Sequence, residues 1–258
     1  MAHIITMANH KGGVGKTSSV QNIGAGLARA GQRVLLIDFD PQANLSDGFG
    51  YRDLEFGIFE AMLGEIEVPI VELQENLSLI PSNIGLAGAE MYFSTYTARE
   101  RILGKKVIDK VKDKFDFIII DSPPSLGLLT INAFTASQSI FIPLDAEYFS
   151  MRGLDNLQEL IDRVQEDLNP SLQIAGVFFT KYDNRMVIKS NVRKVIRAQF
   201  EEKVFETHIR NNIAVAEAQA QGMDVFSYDP KCNGAVDYHN LTKEVLVRYN
   251  LVPAETSK

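Results

Sequence analysis

Residues 9–17 read Asn-His-Lys-Gly-Gly-Val-Gly-Lys-Thr, and they stand between a short apolar segment and a segment whose apolar residues fall at helical spacing. A glycine-rich loop between a strand and a helix is typical of the P-loop, G-x-x-x-x-G-K-[ST]. Gly15, Lys16 and Thr17 supply the second half of that pattern, whereas His10 occupies the position of its first glycine. The stretch therefore predicts a variant P-loop and a nucleoside-triphosphate site.

The glycines of this loop explain how it would hold phosphate. Glycine lets the backbone turn tightly, so that successive N–H groups point at phosphate oxygens, and the following helix adds its positive end. We expect Lys16 to reach the β- and γ-phosphates and the Thr17 hydroxyl to ligate Mg²⁺. The nucleotide-binding residues predicted from the loop are Lys11, Gly12, Gly13, Val14, Gly15, Lys16, Thr17 and Ser18.

Strand and helix patterns alternate along the rest of the chain. Continuous apolar runs, typical of buried parallel strands, occur at residues 4–8, 33–38, 117–121, 139–143 and 174–179, with a weaker one at 77–81. Helical spacing occurs at about residues 18–30, 151–168, 187–200, 212–221 and 235–249. The alternation predicts an α/β fold, a single P-loop domain with a mostly parallel twisted sheet and helices on both faces. We expect residues 1–258 to form this one domain, with a short polar tail at about 253–258.

Composition and charge narrow the class of protein. The 258 residues are 45% hydrophobic and 23% charged, and no apolar run approaches the roughly 18 residues that a membrane span needs. The single cysteine, Cys232, excludes an intrachain disulfide framework and a CxxC metal site. A net charge of −7 argues against nucleic-acid binding by the whole surface but leaves room for a local basic patch. Without a signal peptide before the first strand, we expect a cytoplasmic protein.

Three aspartates lie at the ends of predicted strands, where ligands collect in open parallel sheets. Asp38 and Asp40 close the second strand in Asp-Phe-Asp-Pro-Gln, and Asp121 closes the third strong strand in Asp-Ser-Pro-Pro. Asp121 ends an apolar strand, which fits the Walker B role of holding the Mg²⁺ shell, usually through water. The alternative for such a residue is a cap on a helix or turn.

The lysine at position 11 carries a family resemblance. With Lys11 the loop reads K-G-G-x-G-K-[ST], which resembles the deviant P-loop of the ParA/MinD family of ATPases. In that family the extra lysine reaches across a dimer to the partner's nucleotide, and the resemblance implies the same for Lys11. A second ammonium at that place would neutralise the charge that develops in phosphoryl transfer.

The aspartate segments resemble the switch regions of the same family. Asp38-x-Asp40-Pro-Gln is similar to switch I, and residues 121–127 are similar to switch II. The resemblance implies that Asp40 orients the attacking water and that Asp38 helps to organise Lys16 and the metal shell, although a strand-end aspartate can also simply cap a loop. The predicted catalytic residues are thus Lys11, Lys16 and Asp40, and the predicted metal residues are Thr17, Asp38 and Asp121.

Residues 180–183, Thr-Lys-Tyr-Asp, have the spacing of the [NT]-K-x-D motif that reads guanine in GTPases. The deviant P-loop and the Asp-Pro-Gln segment favour ATP over GTP, so we expect ATP and Mg²⁺ as cofactors. In relatives the adenine pocket involves this strand end and the segment matching Arg210-Asn211. The resemblance therefore implies that Asn211 contacts the base.

A basic helix is predicted near residue 190, because residues 184–200 contain five basic side chains and no acidic one. Helical geometry predicts one positive stripe from Arg185, Lys189, Arg193 and Arg197, with Lys194 beside it. The apolar residues expected to anchor the helix to the sheet are Ile188, Val192, Val195 and Ile196. A solvated face would normally mix both signs, so the stripe indicates an anionic partner. With Arg210, it matches the region where ParA-type relatives carry nonspecific DNA-binding residues.

The resemblance implies a ParA-type ATPase for chromosome or plasmid partition or for cargo positioning. ATP would join two subunits, the dimer would bind duplex DNA nonspecifically on the nucleoid, and a ParB-like partner would stimulate hydrolysis. One alternative is a MinD-like membrane-associated regulator of division-site placement, which needs a C-terminal amphipathic helix with a basic face. In the last predicted helix, at about residues 235–249, only Lys243 and Arg248 carry a full positive charge. A metabolic ligase of the cobyrinate or dethiobiotin type is disfavoured, since no substrate-carboxylate site is recognisable.

Overall fold

The computed structural model describes residues 2–145, 150–183 and 187–251. The strands are β1 (His3–Met7), β2 (Val34–Asp38), β3 (Val71–Gln74), β4 (Leu77–Ile80), β5 (Phe117–Asp121), β6 (Ser139–Asp145) and β7 (Gln173–Thr180). They form one sheet in the order β3-β4-β2-β5-β1-β6-β7, in which only the β3–β4 pairing is antiparallel. The predicted α/β fold with a mostly parallel sheet is confirmed.

Helices connect the strands and cover both faces of the sheet. The long ones are α1 (Lys16–Arg29), α6 (Leu128–Ala136), α7 (Ser150–Asp167), α8 (Val187–Phe200), α9 (Ile213–Ala220) and α11 (Asn233–Arg248). The short ones are α2 (Asn44–Asp47), α3 (Ile58–Leu63), α4 (Ala89–Tyr92), α5 (Asp109–Val111) and α10 (Val225–Tyr228). Within the described residues, no helix has both the length and the apolar character needed to cross a bilayer.

Alternation along the central strands divides the core. Ile5 and Met7 of β1 point into a cluster formed with α1 and α11, whereas Ile4 points into a second cluster on the opposite face. A third cluster joins β6 and β7 to α7 and α8. Since every central strand contributes to both faces, its residues are apolar throughout, as the continuous runs in the sequence predicted.

The edge strand β3 was missed by the sequence analysis. Val71–Gln74 is short, contains two polar residues and is only partly buried, so it lacks the apolar run that marks the inner strands. The sequence analysis also missed helix α6, whereas the remaining strands and the other long helices lie where it predicted them, within a few residues. Two predicted features, the polar tail at 253–258 and the basic residue Arg185, lie outside the described residues.

Register brings the predicted site residues to one edge of the sheet. Met7 at the end of β1 and Asp38 at the end of β2 both pair with Asp121 at the end of β5. The P-loop follows Met7 directly, so it lies over the carboxyl ends of the three central strands. Parallel pairing therefore gathers three motifs that are spread over more than a hundred residues of the chain.

Candidate nucleotide-binding site

The P-loop turns tightly at two glycines. Gly13 has a φ of 71° and Gly15 a φ of 83°, which is left-handed backbone that favours glycine. Side chains from the end of β7 hold the loop from behind, since Thr180 Oγ1 donates to Val14 O at 2.8 Å and Lys181 Nζ donates to Gly13 O at 2.7 Å. The carbonyl groups are thus bound on one side, as a loop that presents its N–H groups to an anion requires.

Lys16 opens α1 and is almost fully buried, with 7% of its surface exposed. Its Nζ donates to Asn9 O at 3.2 Å. Burial lowers the pKa of Lys16, while the negative charges of Asp121 and Asp40 act in the opposite direction. A lysine held in this way is a desolvated cation at the base of the loop, and phosphate oxygens would supply the counter-charge that burial otherwise denies it.

Asp121 is completely buried, and neither of its carboxylate oxygens has a donor in hydrogen-bonding geometry among the described residues. Burial, together with the negative charge of the neighbouring Asp38, raises the pKa of Asp121 to about 8, against the opposing effects of the Thr17 hydroxyl and Lys16. A buried carboxylate without donors is costly unless something positive or protic satisfies it. Such an orphaned pair of oxygens beside Thr17 fits a hydrated Mg²⁺, which keeps several of its waters.

Asp38 has a loop-holding role that the metal prediction did not include. Its Oδ2 accepts from both the amide and the hydroxyl of Ser46, at 2.8 and 2.7 Å, and its Oδ1 accepts from Asp40 N at 3.3 Å. Burial raises the pKa of Asp38 to about 6, although these hydrogen bonds oppose the rise. These hydrogen bonds fit the alternative of a loop cap, in which Asp38 fixes the segment that carries Asp40, and its role in the metal shell stays a prediction.

Asp40 borders the main cavity of this edge. Only 8% of its surface is exposed, and its Oδ1 accepts from Gln42 N at 2.9 Å. The cavity has a volume of about 670 Å³, a size suited to a nucleotide. Its lining includes Gly12, Gly13, Gly15, Lys16, Thr17, Ser18, Asp40, Pro124 and Lys181. The P-loop and switch residues predicted from separate motifs thus meet around one space.

Lys11 stands apart from the cavity of its own chain. Its backbone N–H donates to Asn9 Oδ1 at 2.8 Å, which fixes the start of the loop. Lys11 does not belong to the lining of the 670 Å³ cavity that the structure describes, although its neighbours Gly12 and Gly13 do. The location agrees with a lysine that acts on another nucleotide, and the cross-subunit role stays a prediction.

A smaller cavity of about 140 Å³ adjoins the main one and shares Gly15, Ser18 and Lys181 with it. Asn211 lines this cavity together with Asn212. The structure therefore brings Asn211 close to the P-loop residues Gly15 and Ser18. Its contact with adenine stays a prediction.

Sequence reasoning missed several residues of the main cavity. Arg52 and Gln219 line it from segments without a nucleotide motif, and Gln219 accepts from Ser18 Oγ at 3.4 Å. Lys181 was singled out only as part of a base-reading motif, whereas its ammonium supports the P-loop backbone. His10, noted as a departure from the motif, links the P-loop to switch II through a 3.2 Å contact between its Nδ1 and Pro124 O.

The basic helix beside the site is less exposed than its sequence predicted. Lys189 of α8 is 8% exposed, and its Nζ lies 3.2 Å from Asp145 Oδ1 and 2.5 Å from Lys181 O. The prediction of one continuous exposed stripe is therefore wrong at Lys189. This side chain points into the protein, where it pairs with Asp145 at the end of β6. Its predicted role as a DNA contact is not supported by this position.

The remaining residues of α8 also depart from the prediction. Glu206, which follows the helix, pairs with Arg197 and lies 3.6 Å from Arg193. Lys194 is exposed, as predicted, but Val195 is 46% exposed and does not anchor the helix. Val192 and Ile196 do anchor the helix in the third core cluster, as predicted, and Phe200 joins them there. The face is thus an arginine pair with an acidic neighbour, plus one exposed lysine.

Arg210, the last predicted DNA contact, is held by Asp237 of α11. Its Nε and Nη2 both donate to that carboxylate, the latter at 2.7 Å to Oδ1. The hydrogen bond to Asp237 raises the pKa of the guanidinium above its usual value. Arg210 is therefore only partly exposed, with a side chain that already has a counter-ion.

Comparisons with known proteins connect this geometry to a family. A family model described as an AAA domain matches residues 2–174. The chain is 43% identical over 252 residues to the chromosome-partitioning ATPase Soj of Treponema pallidum, covering 96% of this chain and 98% of that protein. It is 39% identical over 254 residues to the chromosome partitioning protein ParA of Caulobacter vibrioides, with coverage of 95% and 94%.

Solved structures give the same fold. A crystal structure described as cobyrinic acid a,c-diamide synthase from Mycobacterium smegmatis, with bound ADP and magnesium, is 33% identical with a TM-score of 0.85 and coverage of 97% and 96%. The septum site-determining protein MinD of Pyrococcus horikoshii, complexed with Mg-ADP, is 24% identical with a TM-score of 0.78 and coverage of 95% and 96%. The second likeness concerns the fold alone.

Proposed function

This chain belongs to the ParA/MinD family of P-loop ATPases. We propose that it is a partition ATPase in which ATP controls dimerisation and the affinity of the dimer for DNA. The observation that carries the proposal is the 670 Å³ cavity in which the P-loop, Lys16 and Asp40 meet. Relatives at 43% and 39% identity over nearly their whole lengths carry chromosome-partitioning names, which supports the same role here.

The loop and its lysine would bind the triphosphate. The N–H groups of the P-loop face the phosphates, and Lys16 supplies a buried ammonium to the β- and γ-phosphates. Mg²⁺ fits beside Thr17 and the orphaned carboxylate of Asp121, where it would neutralise charge on the phosphate oxygens. Asp121 therefore holds the shell, while Asp38 keeps the Asp40 segment in place through Ser46.

Asp40 and Lys11 would carry out hydrolysis. Asp40 orients a water for in-line attack on the γ-phosphate, and the bond to the β,γ-bridging oxygen breaks to give ADP and phosphate. Lys11 of a second copy would neutralise the charge that develops, as an arginine finger does. That role agrees with its place outside the cavity of its own chain.

Pairing would set the strength of DNA binding. One copy offers Lys194, Arg193 and Arg197 on α8, and a dimer doubles the number of phosphate contacts, on which counterion release depends. We place the protein on the nucleoid in the cytoplasm and expect a ParB-like partner to stimulate hydrolysis and release it. The whole chain would act as one unit in this cycle.

The membrane-associated alternative is less well supported by the C-terminal helix. Leu241, Val245 and Leu246 of α11 are buried in the core, so this face is not available to lipid. Arg248 donates to the backbone carbonyls of Ala175 and Lys203 and lies over the Phe205 ring. Neither the apolar nor the basic side chains of this helix are arranged as an interfacial anchor requires.

The substitution Asp40→Ala tests the proposal. Removing the carboxylate leaves the phosphate contacts in place, so ATP binding should persist while turnover falls by about 10²-fold or more and the ATP dimer accumulates. Phosphate release and size-exclusion chromatography with ATP measure both effects. Glu55→Ala removes an exposed acid of the same loop and should behave like the wild type. An Asp40→Ala protein that hydrolyses ATP at the wild-type rate would exclude this role for Asp40.

A further inference from the structure

Lys181 makes hydrogen bonds through both its side-chain ammonium and its backbone carbonyl oxygen. Its Nζ donates to Gly13 O in the P-loop at 2.7 Å, and its carbonyl oxygen accepts from Lys189 Nζ at 2.5 Å. Its φ of 49° is left-handed, an unusual conformation for a residue with a long side chain. Lys181 thus connects the phosphate loop directly to helix α8, at the cost of backbone strain.

Lys189 is fixed at the α8 end of this connection. Besides Lys181 O, its ammonium contacts Asp145 at the end of β6, and the two side chains are only 10% and 12% exposed. A nearly buried ion pair is hard to break, because loss of one partner leaves an uncompensated charge in a desolvated place. The pair therefore ties the first half of α8 to the end of β6, where Asp145 pairs with Thr180, a residue that supports the P-loop.

The following turn of α8 is attached to the same short segment. The Arg193 guanidinium lies 5.9 Å from the centre of the Tyr182 ring, and Tyr182 packs in one core cluster with Val192 and Ile196. Tyr182 N also donates to Ile209 O at 3.0 Å, so residues 181–182 are attached to the segment that contains Ile209 as well as to α8. A shift of residues 181–182 would therefore move the side chains of Lys189 and Arg193, which contact them.

We propose that Lys189 is a positioning residue that transmits the occupancy of the P-loop to α8 through Lys181. Phosphate in the loop immobilises the Gly13 peptide, which holds the Lys181 side chain and so fixes the acceptor of Lys189. The first half of α8 is then held more tightly, with Arg193 and Lys194 placed for DNA phosphates. The inference rests on the proposed function for its DNA step, whereas the link from loop to helix stands on the contacts themselves.

Linkage makes this coupling reciprocal and measurable without DNA. If nucleotide stabilises α8, a helix that has lost Lys189 no longer responds to nucleotide, and the nucleotide also binds more weakly. Plain loss of stability would speed amide exchange in α8 equally with and without nucleotide. The informative quantity is therefore the difference in exchange between the two conditions.

The experiment is hydrogen exchange of the full chain, with and without Mg-ADP at saturating concentration, in the wild type and in Lys189→Met. ADP keeps the test independent of ATP-driven pairing. Lys189→Arg retains a cation for Asp145, and Lys194→Met is a matched change at the exposed lysine of the same helix. Asp145→Asn breaks the pair from its other side and serves if Lys189→Met does not fold.

In the wild type and in Lys194→Met, Mg-ADP should slow exchange in the first half of α8 by about fivefold or more, the lower end of typical coupling. Lys189→Met and Asp145→Asn should show no such change although ADP is bound, and Lys189→Arg should restore part of it. The inference is overturned if Mg-ADP does not slow amide exchange in α8 of the wild type, or if it slows exchange equally in Lys189→Met.

A second measurement separates this inference from the proposed function. Fluorescence anisotropy of the wild type with duplex DNA and ATP tests DNA binding directly. Absence of binding there rejects the DNA role and leaves the exchange result to decide the coupling. DNA binding by the wild type together with an unaltered exchange response in Lys189→Met rejects the coupling alone.

Discussion

The P-loop and the basic helix α8 are neighbours in the fold, yet they differ in how far their sequences determine their surroundings. The loop between Asn9 and Thr17 turns at Gly13 and Gly15 and borders one cavity, as its motif predicted. The helix, in contrast, lost much of its predicted positive face to acidic residues from other segments. The loop is specified by its own residues, whereas the exposed charge of the helix is specified by its neighbours.

This difference has a physical origin. A phosphate loop needs backbone turns and the end of a helix, and glycine and the next few residues supply both. The charge that a helix presents depends on every acidic group that packs against it. Asp145 lies 44 residues from Lys189, and Glu206 lies 9 residues from Arg197. The periodicity within α8 therefore does not indicate that these acidic residues are present.

The largest effect should follow from a change inside the loop. Lys16→Ala removes the buried ammonium that faces the phosphates, and lost charged hydrogen bonds of about 3 kcal/mol would weaken ATP binding by roughly a hundredfold. Isothermal calorimetry with Mg-ATP measures the affinity. Lys105→Ala, a lysine remote from the cavity, should bind as the wild type does. Equal affinities in the two variants would separate the loop from nucleotide binding.

Asp121 should make the nucleotide-free protein less stable as pH rises. Its folded pKa is about 8 against an ordinary 3.8, so between these values the unfolded chain has released a proton that the folded chain keeps. Stability therefore falls with increasing pH in this window. Asp38, with a pKa of about 6, contributes with the same sign only below that value.

The range from pH 6 to pH 8 lies above the pKa of Asp38 and below that of Asp121, so comparison with a variant of Asp121 reports its contribution. Thermal unfolding followed by circular dichroism should show a smaller decrease in Tm over this range for Asp121→Asn than for the wild type. Asp113→Asn, at an exposed carboxylate, is the control. Parallel curves for Asp121→Asn and the wild type would show that the buried carboxylate does not titrate as its environment indicates.

Two lysines of α8 give a smaller effect that sharpens the comparison. Lys194 is exposed, so Lys194→Met should remove one phosphate contact per subunit and lower the slope of log K against log salt by about 0.9 for each contact. Lys189 is buried against Asp145, so Lys189→Met should lower DNA affinity through the coupling to α8 but leave that slope unchanged, because it removes no phosphate contact. Anisotropy titrations with ATP at several salt concentrations measure both. A reduced slope in Lys189→Met would show that Lys189 itself contacts DNA phosphate.

The smallest effect is expected at Glu206. Its carboxylate pairs with Arg197 and is 74% exposed, and an exposed pair contributes at most about 1 kcal/mol. Glu206→Gln releases the arginines, so DNA affinity at low salt should rise by up to about fivefold. Glu202→Gln, at another exposed glutamate, controls for net charge. If both variants gain equally, the ion pair with Arg197 does not limit DNA binding.

The sequence thus predicted the sheet, its inner strands and the meeting of Lys16, Asp40 and Asp121 at one edge, because each rests on an apolar run or a short motif. It did not predict the edge strand β3, whose half-buried residues carry no such run. It also missed Arg52 in the cavity, since a residue in an irregular loop has no spacing to mark it. The contacts that segments distant in the chain make by packing together could be identified only from the structure.

The central claim is that nucleotide at the loop controls DNA binding by the helix, and one titration tests it. Fluorescence anisotropy with unrelated duplexes should show salt-sensitive binding by the wild type with ATP and much weaker binding without it. The double variant Arg193→Glu and Arg197→Glu should bind ATP normally but lose affinity for all duplexes alike. Unchanged DNA affinity in that variant, or equal affinity with and without ATP in the wild type, would contradict the account.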